Sequence, residues 1–436
     1  MRFMAADVAT ATGGRLVGKN AHLAGAGFDS RTIVPGQLFV PIVAERDGHD
    51  FIDDALARGA GAYLTSVDPT SRRTAIVVDD TLRALMALAT WARERIADRV
   101  DGRVVGITGS VGKTSTKDLT AAALGASLTV TASEKSYNND QGLPVTILNS
   151  SDSTQALVLE MGMRGFGEIA RLCSIGRPTI GVVTAVAEAH TERVGDIEGV
   201  ARAKGELIES LPPGGVAVLN ADDPRVARMA SLAPARVVTY GSGEGADVRM
   251  LSCSLDEFAR PTFEVTSPWG GVTMSLAVPG THMAHNALAA LAVAGLCGVD
   301  LDAAAAGMRE VALSPMRMQQ RTTPAGARVL DDCYNANPAS MAAALNTLVA
   351  VSATRHVAVL GEMAELANPI ADHARIADLA ESLGVEIVAV GTSLYGTEPV
   401  SIDDAAAVLS ALGPREAALV KGSRVAGLER AIAAIG

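Results

Sequence analysis

The densest chemistry in the sequence lies in "GITGSVGKTS", residues 106–115. Gly109, Ser110, Gly112, Lys113, Thr114 and Ser115 sit between an apolar run, "RVVGITG", and a helical pattern over residues 113–124. A strand that ends in a glycine-rich turn and opens a helix aims backbone N–H groups and the positive helix end at one point, where an anion binds. Glycines at 109 and 112 let the backbone curl around a phosphate without a Cβ in the way. Lys113 adds a mobile cation, and the Thr114 hydroxyl suits Mg²⁺. The common template Gly-x4-Gly-Lys-[Ser/Thr] needs glycine at 107, and Ile107 stands there instead. The plain alternative is a strand-to-helix turn with an exposed lysine. Placement directly after a strand favours a nucleoside triphosphate, without saying what is done with it.

Other polar residues stand at the ends of apolar runs. Glu160 closes "ALVLEMG" and, at the carboxyl end of a parallel strand, projects into the crevice where such sheets bind ligands. It reads as a Mg²⁺ ligand or as a solvated strand end. His190 follows "TIGVVTAV" and is a metal ligand, a proton acceptor or a structural histidine. Lys204, in "GVARAKGELIE", is a solvated cation or, beside phosphates, a charge neutraliser. Asn138 and Asn139 satisfy loop backbone or face a ligand. "LDDCYNANPASM" gathers Asp331, Asp332, Tyr334, Asn335 and Asn337 ahead of a helix with Pro338 in its first turn. Asn337 and Ser340 can cap that helix, but five polar groups at one strand end exceed capping needs and point to ligand contact. "LVKGSR" adds Lys421, Ser423 and Arg424 as anion-binding groups at the last strand.

The elements that must position these residues fall into three regions, and the chain is α/β. Residues 1–98 carry short strands ("GQLFVPI", "GAYLTS", "TAIVVDD") and end in an Ala/Leu-rich helix near 82–96. Residues 99–312 alternate apolar runs with helical periodicity, the sign of βαβ units and a parallel sheet. A stretch near 247–281 alternates like antiparallel strands, and "HNALAALAVAGLCG" is a buried helix. Residues 313–436 repeat the α/β rhythm through "ARVLDD", "HVAVLG", "VEIVAVG" and "EAALVKG".

Bulk properties narrow the function. A net charge of −11 leaves no basic surplus for general nucleic-acid binding. Four cysteines without metal spacing suit a reducing cytoplasm. No apolar leader opens the sequence and no 18-residue apolar run crosses a membrane, so a cytoplasmic monomer acting on small molecules is expected.

Together these segments resemble the Mur ligase superfamily, and most closely its MurF branch, over nearly the whole chain. The family's shortened loop T-G-x-x-G-K-[ST]-[ST] matches "TGSVGKTS". "DSRTIVPGQLFVPI" with "DGHDFIDDALARGA", "SYNNDQGLPVTIL", "DDCYNANPASMAAAL", "VLGEMAEL" and "LVKGSR" follow the branch pattern. The resemblance implies a UDP-binding first domain, a P-loop-type mononucleotide-binding parallel sheet in the middle and a Rossmann-like C-terminal domain. It implies an ATP-dependent ligase that adds D-Ala-D-Ala to UDP-N-acetylmuramoyl-tripeptide through an acyl phosphate, for the cell wall. Lys113 and Thr114 would hold ATP phosphates and Mg²⁺, with Glu160 and His190 at the metal and Lys204 at a position carbamylated in some relatives. Asn286 would contact adenine, Arg317 and Asp332 would reach the nucleotide from the third domain, and Ser30 and Arg31 would lie near the uridine diphosphate. Asn138, Asn139, Tyr334, Asn335, Asn337 and Lys421 would face the peptide substrates. The chain departs from the pattern with Met283 for a common Asn, Met316 before Arg317, Cys333 for Ser or Thr, and Val43-Ala44 for a Lys-Gly pair. A ligase adding a single amino acid, as in the MurE branch, and a P-loop kinase or NTPase are the rival readings.

Overall fold

The computed structural model describes residues 1–69, 73–188 and 191–435, and among these the strands form four sheets. In the first region β1 (Arg2–Met4), β2 (Arg15–Val17), β3 (His22–Ala24), β4 (Ala26–Gly27), β5 (Leu38–Phe39), β6 (Ala62–Thr65) and β7 (Ala75–Val77) follow one another. β1 and β3 make an antiparallel ribbon, while β4 to β7 run parallel, with β2 antiparallel on the outer edge of β7.

A helix, Thr81–Arg95, closes this region. The Asp80 side chain accepts the Arg83 N–H at 2.9 Å and so satisfies one orphan donor of the first turn. The helix buries Leu85, Leu88 and Ala92 in one core with Leu143, Ile147 and Ile169 of the next region. Arg93 is buried in the same seam. Its Nε donates 2.9 Å to the carbonyl of Gly176, the last residue of the helix Glu168–Gly176, where a cation meets the negative helix end.

The middle sheet has nine strands: β8 (Val104–Thr108), β9 (Val130–Ala132), β10 (Ala156–Glu160), β11 (Ile180–Val183), β12 (Val216–Asn220), β13 (Arg236–Gly241), β14 (Val248–Leu255), β15 (Pro261–Ser267) and β16 (Gly270–Ser275). β8, β10 and β11 are buried on both faces, as their unbroken apolar runs require. The order is β16-β15-β14-β13-β12-β11-β8-β10-β9. Pairing is parallel from β9 to β14 and antiparallel through β15 and β16. The sheet is therefore mixed rather than wholly parallel. Alternating burial along β15 shows the cause, one face on the core and one in solvent.

From β8 the chain goes to β9 and β10 on one side, then to β11 and β12 on the other. The loop after β8 thus sits at the point where strand order reverses, the usual ligand crevice of such sheets.

The third sheet comprises β17 (Gln319–Thr322), β18 (Arg328–Asp331), β19 (Arg355–Leu360), β20 (Glu386–Ala389) and β21 (Glu416–Lys421), in the order β17-β18-β21-β19-β20. All pairings are parallel except that of β17 with β18. The polar, exposed β17 carries no apolar alternation to announce it. Before it, Met316 (φ 61°) and Met318 (φ 49°) occupy the left-handed region that side chains other than glycine disfavour. Among the described residues no helix is long and apolar enough to cross a membrane.

Candidate active site

The phosphate-loop backbone is shaped by its two glycines. Gly109 has φ 151°, and a Cβ there would run into the Thr184 hydroxyl at the end of β11. Gly112 has φ 81°, and a Cβ there would stand 2.7 Å from Asn286 Oδ1. The loop is pinned to the segment after β11: Ser110 N donates to Ala185 O at 2.7 Å, and Ser110 Oγ donates to Ala187 O at 2.9 Å. The Ser110 hydroxyl is therefore engaged in holding the loop. Lys113 Nζ lies 2.7 Å from the Gly109 carbonyl, at the mouth of the loop.

Two cavities meet at this lysine. One, of 140 Å³, is bounded by the loop, Asn286, His282, Arg317, Asp332 and Lys421. The other, of 610 Å³, is bounded by Asn138, Asn139, Glu160, Lys204, Tyr334 and Arg424, among others. Lys113, Arg317 and Asn335 line both. A group held in the small cavity is thereby presented to one held in the large cavity.

Glu160 ends β10 with its Oε1 accepting from Asn138 Nδ2 at 2.8 Å, while its buried Oε2 has no hydrogen-bond partner. A buried carboxylate oxygen without a partner is costly, which marks it for a cation. The Thr114 hydroxyl is buried and has only long contacts, 3.4 Å to Ser136 Oγ and 3.4 Å from Arg317 Nη2. Among the described residues no group of three or more His, Cys, Asp or Glu side chains forms a metal cage. The available donors, one carboxylate and one hydroxyl beside a phosphate loop, suit Mg²⁺, which commonly keeps waters and uses few protein oxygens plus phosphates.

Burial pulls the Lys113 ammonium below the ordinary lysine range; Glu160 opposes that and Arg317 adds to it. Lys204 is pushed well below the usual value by burial and by the nearby charge of Lys113. His282 is driven down to about 4, first by burial, against the pull of Asp332 and with the repulsion of Lys421 and His285, so it is neutral at pH 7.

From the segment before the third sheet, Arg317 stacks its guanidinium 4.2 Å over the Tyr334 ring, and its buried Nε has no partner. Asp332 and Lys421 form a buried ion pair, and Lys421 Nζ also donates to Asn335 O at 3.0 Å. Lys421 is thus consumed in holding Asp332 and Asn335 and is not a free cation for substrate. Asn337 accepts the Ser340 N–H at 2.9 Å as the cap of the helix Pro338–Ala350, while still bounding the small cavity. Asn139 likewise accepts the Gly142 N–H at 2.9 Å, at the start of the helix Gly142–Leu148.

Gly112, Lys113, Thr114, Ser115, Asn138, Asn139, Glu160, Lys204, Asn286, Arg317, Asp332, Tyr334 and Asn335 come together around these cavities. Ser30 and Arg31 do not: Ser30 is buried in its own region and exposed Arg31 pairs with Asp29 at 2.7 Å. His190 lies outside the described residues. Sequence reasoning missed Ser136, His282, Arg164 and Arg171, which also bound the cavities. Only His282 carried a signal, its place one turn before Asn286 on the same helix face.

Known proteins resemble this chain over nearly its whole length. The Mur ligase middle domain matches residues 107–294, and the Mur ligase glutamate ligase domain matches residues 316–435. The UDP-N-acetylmuramoyl-tripeptide–D-alanyl-D-alanine ligase of Escherichia coli is 36% identical over 437 residues, covering 97% of this chain and 96% of the relative. A MurF crystal structure from Acinetobacter baumannii superposes with a TM-score of 0.88 at 28% identity, over 100% of this chain and 99% of that one. MurF from Thermotoga maritima in complex with ADP gives a TM-score of 0.80 at 27% identity, over 94% and 97%.

Proposed function

The chain belongs to the Mur ligase family, and on that premise we propose how it joins D-alanyl-D-alanine to UDP-N-acetylmuramoyl-tripeptide in peptidoglycan synthesis with ATP as the driving substrate. One observation carries the reading: Lys113 and Arg317 line both cavities, so one pair of cations serves the phosphate donor and the acid acceptor. The ADP held by the Thermotoga relative supports an adenine nucleotide in the small cavity, with Asn286 toward the base and Gly112 and Ser115 supplying loop amides, while Gly109 and Ser110 shape and pin the loop.

A carboxylate is a poor electrophile. The tripeptide's terminal carboxylate attacks the γ-phosphorus, ADP leaves, and an acyl phosphate forms. The amine of D-alanyl-D-alanine then attacks the acyl carbon through a tetrahedral state, loses its proton and expels inorganic phosphate. Lys113 and Arg317 offset the repulsion between carboxylate and phosphate and hold the charge spread over the transferred group. Thr114 and Glu160 would hold Mg²⁺, which when bound neutralises phosphate charge; Asn138 orients Glu160 by its 2.8 Å hydrogen bond. Asn139, Tyr334 and Asn335 border the large cavity on the peptide side.

Lys204 has the low basicity that a neutral amine needs to add CO₂ and become a carbamate, releasing a proton. That carbamate would bring an oxygen donor to the cavity. We assign His190 to the metal or to the amine's proton, and Ser30 and Arg31 to the uridine diphosphate end. The domains are taken as residues 1–98 for that end, 99–312 for nucleotide and catalysis, and 313–436 for the incoming dipeptide. The enzyme is taken as a cytoplasmic monomer. Phosphate release with UDP-N-acetylmuramoyl-tripeptide and D-alanyl-D-alanine, each omitted in turn, tests the reading: release should need both, and nucleotide turnover with neither would overturn it.

A further inference from the structure

The helix that begins at Lys113 also grips the segment leading to the third sheet. Lys117, one turn on, is buried; its Nζ donates to Ser133 O at 2.8 Å and to Ser314 Oγ at 3.3 Å, and pairs with Asp118 Oδ1 at 2.6 Å. Asp118 Oδ2 in turn accepts the Ser314 backbone N–H at 2.7 Å. Ser133 closes the loop of contacts, because its Oγ accepts the backbone N–H of Glu160 at 3.1 Å. Three residues beyond Ser314 stands Arg317, reached through the strained Met316.

We propose that Lys117 and Asp118 are positioning residues: they clamp Ser314 and thereby set Arg317 against the phosphate loop, in register with the strand end that carries Glu160. This rests on the reading that Arg317 contacts the nucleotide. The chemistry favours such a role over simple stability. A buried lysine and a partly buried aspartate both bond one serine of an interdomain connection, 196 residues from Asp118 in the chain. Between that serine and Arg317 only two residues intervene, one of them held at φ 61°, so displacement at Ser314 passes directly to the guanidinium.

The test is a double-mutant cycle on the full chain, with the dissociation constant of Mg²⁺–ADP read by calorimetry. Asp118→Ala should weaken Mg²⁺–ADP roughly ten-fold, as expected for loss of a charge-assisted hydrogen bond. In an Arg317→Ala background the same substitution should change affinity less than about two-fold, because its effect travels through the arginine. Asp118→Asn, which keeps an oxygen for the Ser314 N–H, should recover most of the affinity and serves if the alanine variant does not fold. Additive losses in the two backgrounds, or unchanged affinity in Asp118→Ala, would overturn the proposal. Failure of the parent protein to bind Mg²⁺–ADP would instead refute the nucleotide reading beneath it.

Discussion

Arg317 and Thr114 are 203 residues apart in the chain, yet Arg317 Nη2 lies 3.4 Å from Thr114 Oγ1. The cation comes from the segment before the third sheet and the hydroxyl from the first turn of the phosphate-loop helix. Neither region completes the small cavity by itself.

Lys113 sits where both cavities open. Replacing it with alanine should lower turnover by hundreds-fold, corresponding to about 3–4 kcal/mol of lost transition-state stabilisation. Circular dichroism should show an intact fold. Near-normal steady-state turnover would remove this lysine from the mechanism.

Glu160 and Asn138 make a graded pair. Glu160→Gln should abolish most Mg²⁺-dependent turnover, whereas Asn138→Ala, which only frees the carboxylate to rotate, should cost roughly ten- to a hundred-fold. Titrating Mg²⁺ distinguishes the two effects: the Asn138 variant should need more metal and recover part of its rate. A glutamine variant with ordinary Mg²⁺ dependence would show that this carboxylate does not hold the metal.

His282 predicts a stability slope in mild acid. Its pKa is about 4 in the fold against about 6.5 in the unfolded chain, so between those values the unfolded state binds more protons. Stability should be fully present above pH 6.5 and fall as pH drops toward 4, by on the order of 3 kcal/mol at most. Chemical denaturation of His282→Asn across that range should show a flatter profile, and an unchanged slope would assign the effect elsewhere.

Lys204 separates stability from activity. The folded state disfavours its charge, so below the ordinary lysine pKa the unfolded state holds the extra proton and stability rises with pH. Lys204→Met removes that cost and should raise the melting temperature at pH 7 while lowering turnover. If the carbamate forms, parent activity should also fall in CO₂-depleted buffer and return with bicarbonate. A lower melting temperature with full turnover would contradict both roles.

Much of this site is legible in the sequence because its parts follow local rules. The turn after β8 announces itself by an apolar strand that stops at a glycine-rich turn, and the carboxylate ending β10 and the polar cluster after β18 by apolar strands that stop at charged or amide side chains. What was not legible depends on tertiary partners. Lys421 looks like a free cation until Asp332 is seen beside it, and the Asn337 oxygen like a ligand atom until the Ser340 N–H is seen on it. Lys117 and Asp118 resemble any solvated pair on a helix; only Ser314, from a distant segment, gives them meaning. The extension of the middle sheet by β15 and β16 was similarly hidden, since alternation reveals a half-buried strand but not the edge it joins.

Arg93 has a wider consequence. Its buried guanidinium is satisfied by the Gly176 carbonyl across the seam between the first two regions, and swinging them apart would strand that charge in an apolar core. The first two regions therefore work as a caliper of fixed span. A substrate gripped in the first region, as proposed above, would meet Lys113 at a set distance, with no give between the two regions to make up a missing length.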